Sequence, residues 1–155
     1  MEDQLRQAVR SLCGRYPDSY WQELDGTRSY PESFVQALTE AGYLACLIPE
    51  EHGGGGLGIR EAGVILEEIN RSGGNAAACH AQMYTMGTVL RHGSNQQKER
   101  YLPAIARGEL RLQAFAVTEP DAGSDTTSVR TFARKYLNTR LRLWLEAKKG
   151  VASTG

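Results

Sequence analysis

The sequence predicts a mainly α protein. It reads as an N-terminal helical domain of about five helices, followed by the first strand or strands of an incomplete β-domain. Three observations predict this. Apolar residues recur at helical spacing in successive segments up to about residue 107. Glycine, proline or a capping sequence punctuates the segment ends. Only after Gly108 does an apolar run, Leu112 to Val117, stop at a dense polar turn, as a strand does. Helices first and strands later point to separate α and β parts.

The elements follow in order. Leu5, Ala8, Val9, Leu12 and Cys13 share a helical face over residues 3–15, and Pro17 with the polar stretch after it ends that helix. The second helix covers 31–41, with Pro31 near its first turn, Phe34, Val35 and Leu38 on one face, and Gly42 as its stop. Tyr43 to Pro49 is apolar and reads as extended, and a glycine run follows, Gly53 to Gly56 plus Gly58. Helical spacing resumes over 59–71 with Ile59, Ala62, Leu66 and Ile69, and Gly73-Gly74 breaks it. Residues 75–91 form an apolar, small-residue helix that reads as central to a bundle, capped by Gly93. Ser94-Asn95-Gln96-Gln97 is a capping box opening a helix to about Arg107, which Pro103 should kink or interrupt.

Composition bounds the function. The 155 residues carry 18 basic and 18 acidic side chains, so no charge excess points to nucleic acid or an anionic membrane. No apolar run approaches the roughly 20 residues of a membrane span. The start, Met1-Glu2-Asp3-Gln4, lacks the basic and apolar regions of a signal peptide. Cys13, Cys46 and Cys79 form no CxxC and read as small buried residues in a reducing, cytoplasmic compartment.

Two stretches could hold an anion. Gly53-Gly54-Gly55-Gly56-Leu57-Gly58 formally fits the dinucleotide fingerprint G-x-G-x-x-G. Against it, Pro49-Glu50-Glu51-His52 separates the glycines from the apolar stretch, and no second parallel strand follows. No Lys-Ser or Lys-Thr follows either, which excludes a P-loop. The second stretch is Thr118-Glu119-Pro120-Asp121-Ala122-Gly123-Ser124-Asp125. Pro120 ends a ladder, Gly123 can take φ > 0, and such a turn can aim backbone N–H groups and the Ser124 hydroxyl at one anion. A plain surface turn is the competing reading. Glu119, Asp121 and Asp125 could form a catalytic acid/base pair, but their place in a tight turn favours backbone capping. His52, His80 and His92 show no paired metal-ligand spacing, and no nucleophile motif is present.

The Thr118–Asp125 run resembles the first signature of the flavin-dependent acyl-CoA dehydrogenases. Tyr30-Pro31-Glu32, Ala41-Gly42-Tyr43-Leu44, Ile48-Pro49-Glu50-Glu51-His52-Gly53-Gly54, Leu66-Glu67-Glu68-Ile69 and Tyr101-Leu102-Pro103 agree with that family in the same order. The resemblance covers roughly residues 15 to 135. It implies a helical N-terminal domain over 1–110, the start of a middle β-domain over 111–135 and an atypical tail over 136–155. It also implies FAD as cofactor, held by Phe115, Ala116, Val117, Thr118, Gly123 and Ser124. The strand Phe115 to Thr118 would run along the flavin, with backbone N–H groups and the Thr118 hydroxyl on its pyrimidine edge. Ser124 would bond phosphate or the CoA-linked part of the substrate. The implied reaction is α,β-dehydrogenation of an acyl-CoA thioester, with an electron-transfer acceptor and a homo-oligomeric assembly.

After Lys135 the resemblance ends. Arg140-Leu141-Arg142-Leu143-Trp144-Leu145 replaces the family's Asn-Gly and Trp-x-Ser/Thr segments. The tail reads as a short amphipathic helix or an alternating strand, arising from a truncation, a deletion or a shifted frame. The family's base lies in the parts that do not match, so no catalytic residue is assigned. The isolated chain is expected to be inactive and to bind FAD weakly or not at all. A non-catalytic helical interaction module built on the same domain is the alternative.

Overall fold

The computed structural model describes residues 2–114 and 117–132. They fall into two compact units, Met1–Ala114 and Phe115–Gly155. The first unit holds six α-helices: α1 (Glu2–Cys13), α2 (Asp18–Thr27), α3 (Glu32–Glu40), α4 (Ile59–Arg71), α5 (Ala77–His92) and α6 (Asn95–Ala106). Helical spacing anticipated all of them except α2.

α2 escaped because it has no buried face. Pro17 precedes it and Asp18 opens it, where the helix dipole favours an acid. Two adjacent aromatics anchor it. Tyr20 meets Tyr16 edge-on at 5.0 Å, and Trp21 meets Phe34 of α3 at 4.9 Å. The Tyr16 hydroxyl donates to the Ser33 carbonyl at 2.9 Å, tying the α1–α2 connection to α3. Such edge-to-face contacts add to area burial. α2 ends on Arg28 in the left-handed region, φ 52°.

The main core gathers Val9, Leu12, Phe34, Val35, Leu38, Leu44, Ile65 and Ile69 with the three cysteines. All three thiols are free and buried, as their isolated positions in the sequence suggest. Burial pushes Cys46 up to about 11 and Cys79 up to about 12. A smaller cluster joins Ala45, Ile48, Met86, Leu102 and Ile105, so α5 contributes to both cores. α1 lies on α4 through one buried carboxylate. Glu68, 1 % exposed, accepts from Arg6 at 3.0 Å and from Arg10 at 3.0 Å. Burial alone would raise the Glu68 carboxyl, but hydrogen bonds from Arg6 and then Arg10 outweigh it and hold it below its ordinary value.

Three expectations about local structure are corrected. Residues 43–49 are not extended: Tyr43–Ala45 form a 3-10 turn, entered through Gly42 at φ 76°. Their apolar character reflects burial on all sides rather than a pleated face, and Leu44, Ala45, Cys46 and Ile48 are all buried. Pro103 does not interrupt α6, which runs to Ala106. The carbonyl that loses its partner belongs to exposed Glu99, where water can serve it. Finally, the described residues of 111–118 pair with no strand, and their region holds only an isolated bridge between Glu119 and Ala122. An extended segment becomes a strand only when another supplies ladder partners. α6 opens as expected: Ser94 N–H donates to Gln97 Oε1 at 2.8 Å and Gln97 N–H to Ser94 Oγ at 3.3 Å.

Candidate cofactor turn

The turn of residues 117–132 is organised by two carboxylates that reach forward along the chain. Glu119 accepts the backbone N–H of Arg130 at 2.8 Å and of Thr131 at 2.7 Å, and also the Thr131 hydroxyl. Asp125 accepts Thr127 N–H at 3.1 Å and the Thr127 and Ser128 hydroxyls, starting the short 3-10 turn Thr126–Ser128. Glu119 and Ala122 exchange backbone bonds at 2.8 and 3.2 Å. These are capping roles, as the sequence favoured, and not an acid/base pair.

The electrostatics follow from those bonds. The Thr131 hydroxyl and then the Arg130 N–H hold Glu119 below the usual carboxylate range. The hydroxyls of Ser128 and Thr127 do the same for Asp125. Hydrogen bonds to the charged form favour it. Both groups are therefore fixed anions at neutral pH, and both already have their donors.

Other donors in the turn are left over. The Thr118 and Ser124 side chains are exposed and make no hydrogen bond among the described residues. The backbone N–H groups of Gly123, Ser124 and Asp125 make none either. Consecutive free N–H groups beside a hydroxyl form a concavity for an anion. Gly123 reaches this arrangement without positive φ, contrary to expectation, and a Cβ there would meet nothing within 4 Å. Val117, Val129 and Phe132 are exposed in the same unit. Phe115 and Ala116 lie outside the described residues.

The rival glycine run behaves oppositely. Gly53 N–H bonds to Glu50, Gly54 to Pro49, Gly55 to Ala45, Gly56 to Ile48 and Leu57 to Cys46, all at 2.7–3.2 Å. Gly58 N–H goes to Glu61 Oε2 at 3.0 Å and opens α4. Every N–H that a pyrophosphate would need already serves the protein. A Cβ on Gly54 would sit 2.2 Å from the Ile48 carbonyl oxygen, so glycine here answers a close backbone approach and not a ligand. The dinucleotide reading of this run has no donors left to rest on.

The helical unit carries clefts of its own. One, about 740 Å³, runs between α4 and α5 and is lined by Leu57, Leu66, Met83 and Leu90 among others. Another, about 510 Å³, lies at the N-terminal half of α5 beside Tyr30, Ala77, His80 and Tyr84. A third, about 420 Å³, lies at the end of α2 beside Trp21, Arg28 and Gly73. Sequence reading had singled out none of them, because their walls come from distant segments. It also missed Arg130 and Thr131 as partners of Glu119, whose reach spans 11 and 12 residues.

Comparison with known proteins places these features in a family. The model of the acyl-CoA dehydrogenase N-terminal domain matches residues 1–109. The acyl-CoA dehydrogenase FadE12 of Mycobacterium tuberculosis is 39 % identical over 135 residues, 84 % of this chain and 34 % of that protein. A 3-(aryl)acrylate reductase of Clostridium sporogenes is 36 % identical over 133 residues, 84 % of this chain and 35 % of that protein. Among solved structures, an acyl-CoA dehydrogenase complexed with FAD from Bacillus anthracis superposes with a TM-score of 0.69 at 30 % identity. It covers 85 % of this chain, which covers 23 % of it. The chain spans about a third of the length of the curated relatives it matches. With a helical unit of the matching kind, the chain belongs to the acyl-CoA dehydrogenase family and carries that family's N-terminal domain.

Proposed function

We propose that this chain supplies the N-terminal helical domain and one wall of the FAD site of an acyl-CoA dehydrogenase, an oxidoreductase acting on acyl-CoA thioesters. The observation that carries the reading is the set of free donors in the turn: the Thr118 and Ser124 hydroxyls and the N–H groups of Gly123 to Asp125. The residues fit FAD on two counts. Its pyrophosphate is an anion that such donors suit, and its ring offers polar edge atoms for Thr118. The two carboxylates beside them are turned away into capping, so they do not compete for the donors.

Bound FAD would supply the hydride acceptor for dehydrogenation. This chain's part is to bind and orient. Val117 and Thr118 would border the ring, and fixed donors there stabilise charge that develops on reduction. Ser124 with Gly123 would take a phosphate oxygen, or the CoA-linked part of the substrate. Phe115 and Ala116 would extend the same wall. Glu119 and Asp125 are already bonded and so not free to remove a substrate proton, while Asp121 is exposed and lies 3.8 Å from the Arg130 guanidinium. An electron-transfer protein as acceptor and a homo-oligomeric assembly complete the reading.

The test is a chimera in which residues 2–131 replace the matching N-terminal portion of a full-length relative. Purified chimera should carry FAD and dehydrogenate an acyl-CoA with a dye acceptor. Ser124→Ala and Thr118→Val should each weaken FAD binding about tenfold, the scale of one charge-assisted hydrogen bond. A folded chimera without flavin, or variants that bind FAD as tightly as the parent, would end the proposal.

A further inference from the structure

The contact between α1 and α4 joins a short apolar stripe to a cluster of charges. α1 buries Val9, Leu12 and Cys13. Beside them Arg6 donates to Glu2 at 3.1 Å, to Glu67 at 2.8 Å and to Glu68 at 3.0 Å. Arg10 donates through two nitrogens, one to each Glu68 oxygen, both at 3.0 Å. Arg60 closes the cluster, 2.8 Å from the second Glu2 oxygen.

Glu68 is its centre. The side chain is 1 % exposed, both oxygens are occupied, and every donor it has among the described residues comes from α1. Two-pronged arginine bonds to a carboxylate are strong and directional, and a buried carboxylate without them is costly. Glu67 shares Arg6, and the Cys13 thiol is close enough to feel the Glu68 charge. α1 is also a terminal element with a fixed end. The chain leaves it through Gly14 and Arg15 and is held again at Tyr16. There the hydroxyl donates to the Ser33 carbonyl at 2.9 Å and the ring meets Phe34 edge-on at 5.1 Å.

We propose that α1 is an ionic latch: a terminal helix that opens from α4 as one unit, hinged at Gly14 and Arg15, and held closed by the ionised Glu68 carboxylate. Opening uncovers Val9, Leu12 and Cys13. The latch does not rest on the reading given under Proposed function. Burial would raise the Glu68 carboxyl, and the bonds from Arg6 and Arg10 outweigh it and hold it below its ordinary value. Closure is therefore fully supported above the unfolded-state value, about 4 for a carboxylate, and loses that support as pH falls through the lower folded-state value.

Amide hydrogen exchange in the 155-residue chain tests the latch. At neutral pH, Glu68→Gln should speed exchange of the residue 9–13 amides about tenfold, the scale of bonds to a charged group, and leave those of residues 82–86 in α5 unchanged. Arg10→Gln, at a side chain 55 % exposed, should act in the same direction by severalfold even where Glu68→Gln does not fold. If α1 and α5 amides accelerate by one factor, the loss is global and the latch fails. Unchanged α1 amides in both variants also overturn it. In the parent, α1 exchange corrected for its intrinsic rate should rise as pH falls below about 4, and Glu68→Gln should show less of that rise. Identical acid profiles in parent and variant would remove Glu68 from the latch.

Discussion

In the loop of residues 53–57, backbone N–H groups turn inward to carbonyls of residues 45–50; in the turn of residues 119–128, carboxylates take the capping work and consecutive N–H groups stay free. The first loop is rich in glycine because backbone passes close to backbone. The second has one glycine, and that glycine has open space around it. Glycine content alone therefore does not mark an anion site. What marks it is where the donors already go.

The largest expected effect breaks this contrast directly if it is wrong. Gly54→Ala should destabilise the helical unit by about 2–3 kcal/mol in urea unfolding, because its Cβ would overlap the Ile48 carbonyl. Gly123→Ala should stay within about 0.5 kcal/mol, as exposed positions without strain do. Equal costs at the two sites would erase the distinction.

A pH titration sharpens it further. Glu119 and Asp125 are both held below their ordinary values, so the order they impose is fully present above the unfolded-state value, about 4 for a carboxylate. It is lost as pH falls through the lower folded-state values. Amide resonances of Thr127, Arg130 and Thr131 should therefore move together in acid, while those of Gly54 to Leu57, bonded only to carbonyls, should stay until the helical unit itself unfolds. Movement of both sets at one pH would show that the turn does not depend on its carboxylates.

The smallest effect concerns a third turn. Arg28 closes α2 at φ 52°, a region that favours glycine. Arg28→Gly should raise stability by about 0.5–1 kcal/mol, read as a small rise in the urea midpoint.

Much of this was legible beforehand, for physical reasons. α3, α4, α5 and α6 announce themselves because each buries a periodic stripe or carries a cap that sequence spacing encodes. α2 does not, because Tyr20 and Trp21 anchor it from adjacent positions and no stripe exists. Residues 43–49 misled because an apolar run shows burial without showing which backbone shape achieves it. The described residues of 112–117 misled in a similar way, since an apolar run describes burial and a ladder needs a partner. For the turn, the capping work of its carboxylates was readable from the local run of residue types. The bonds from Glu119 to residues 130 and 131 were not, because nothing in local spacing reports a side chain that reaches so far along the chain.

The three sealed thiols have a practical consequence. Each of Cys13, Cys46 and Cys79 is almost without solvent contact, and burial keeps all three protonated at neutral pH. A thiol reagent reacts with the thiolate, so the native molecule should be silent to it. Whatever labelling occurs measures how often the interior opens, and the three positions, on α1, beside the 3-10 turn and on α5, report three parts of that interior separately. The helical unit thus carries built-in reporters of its own breathing, without any engineered probe.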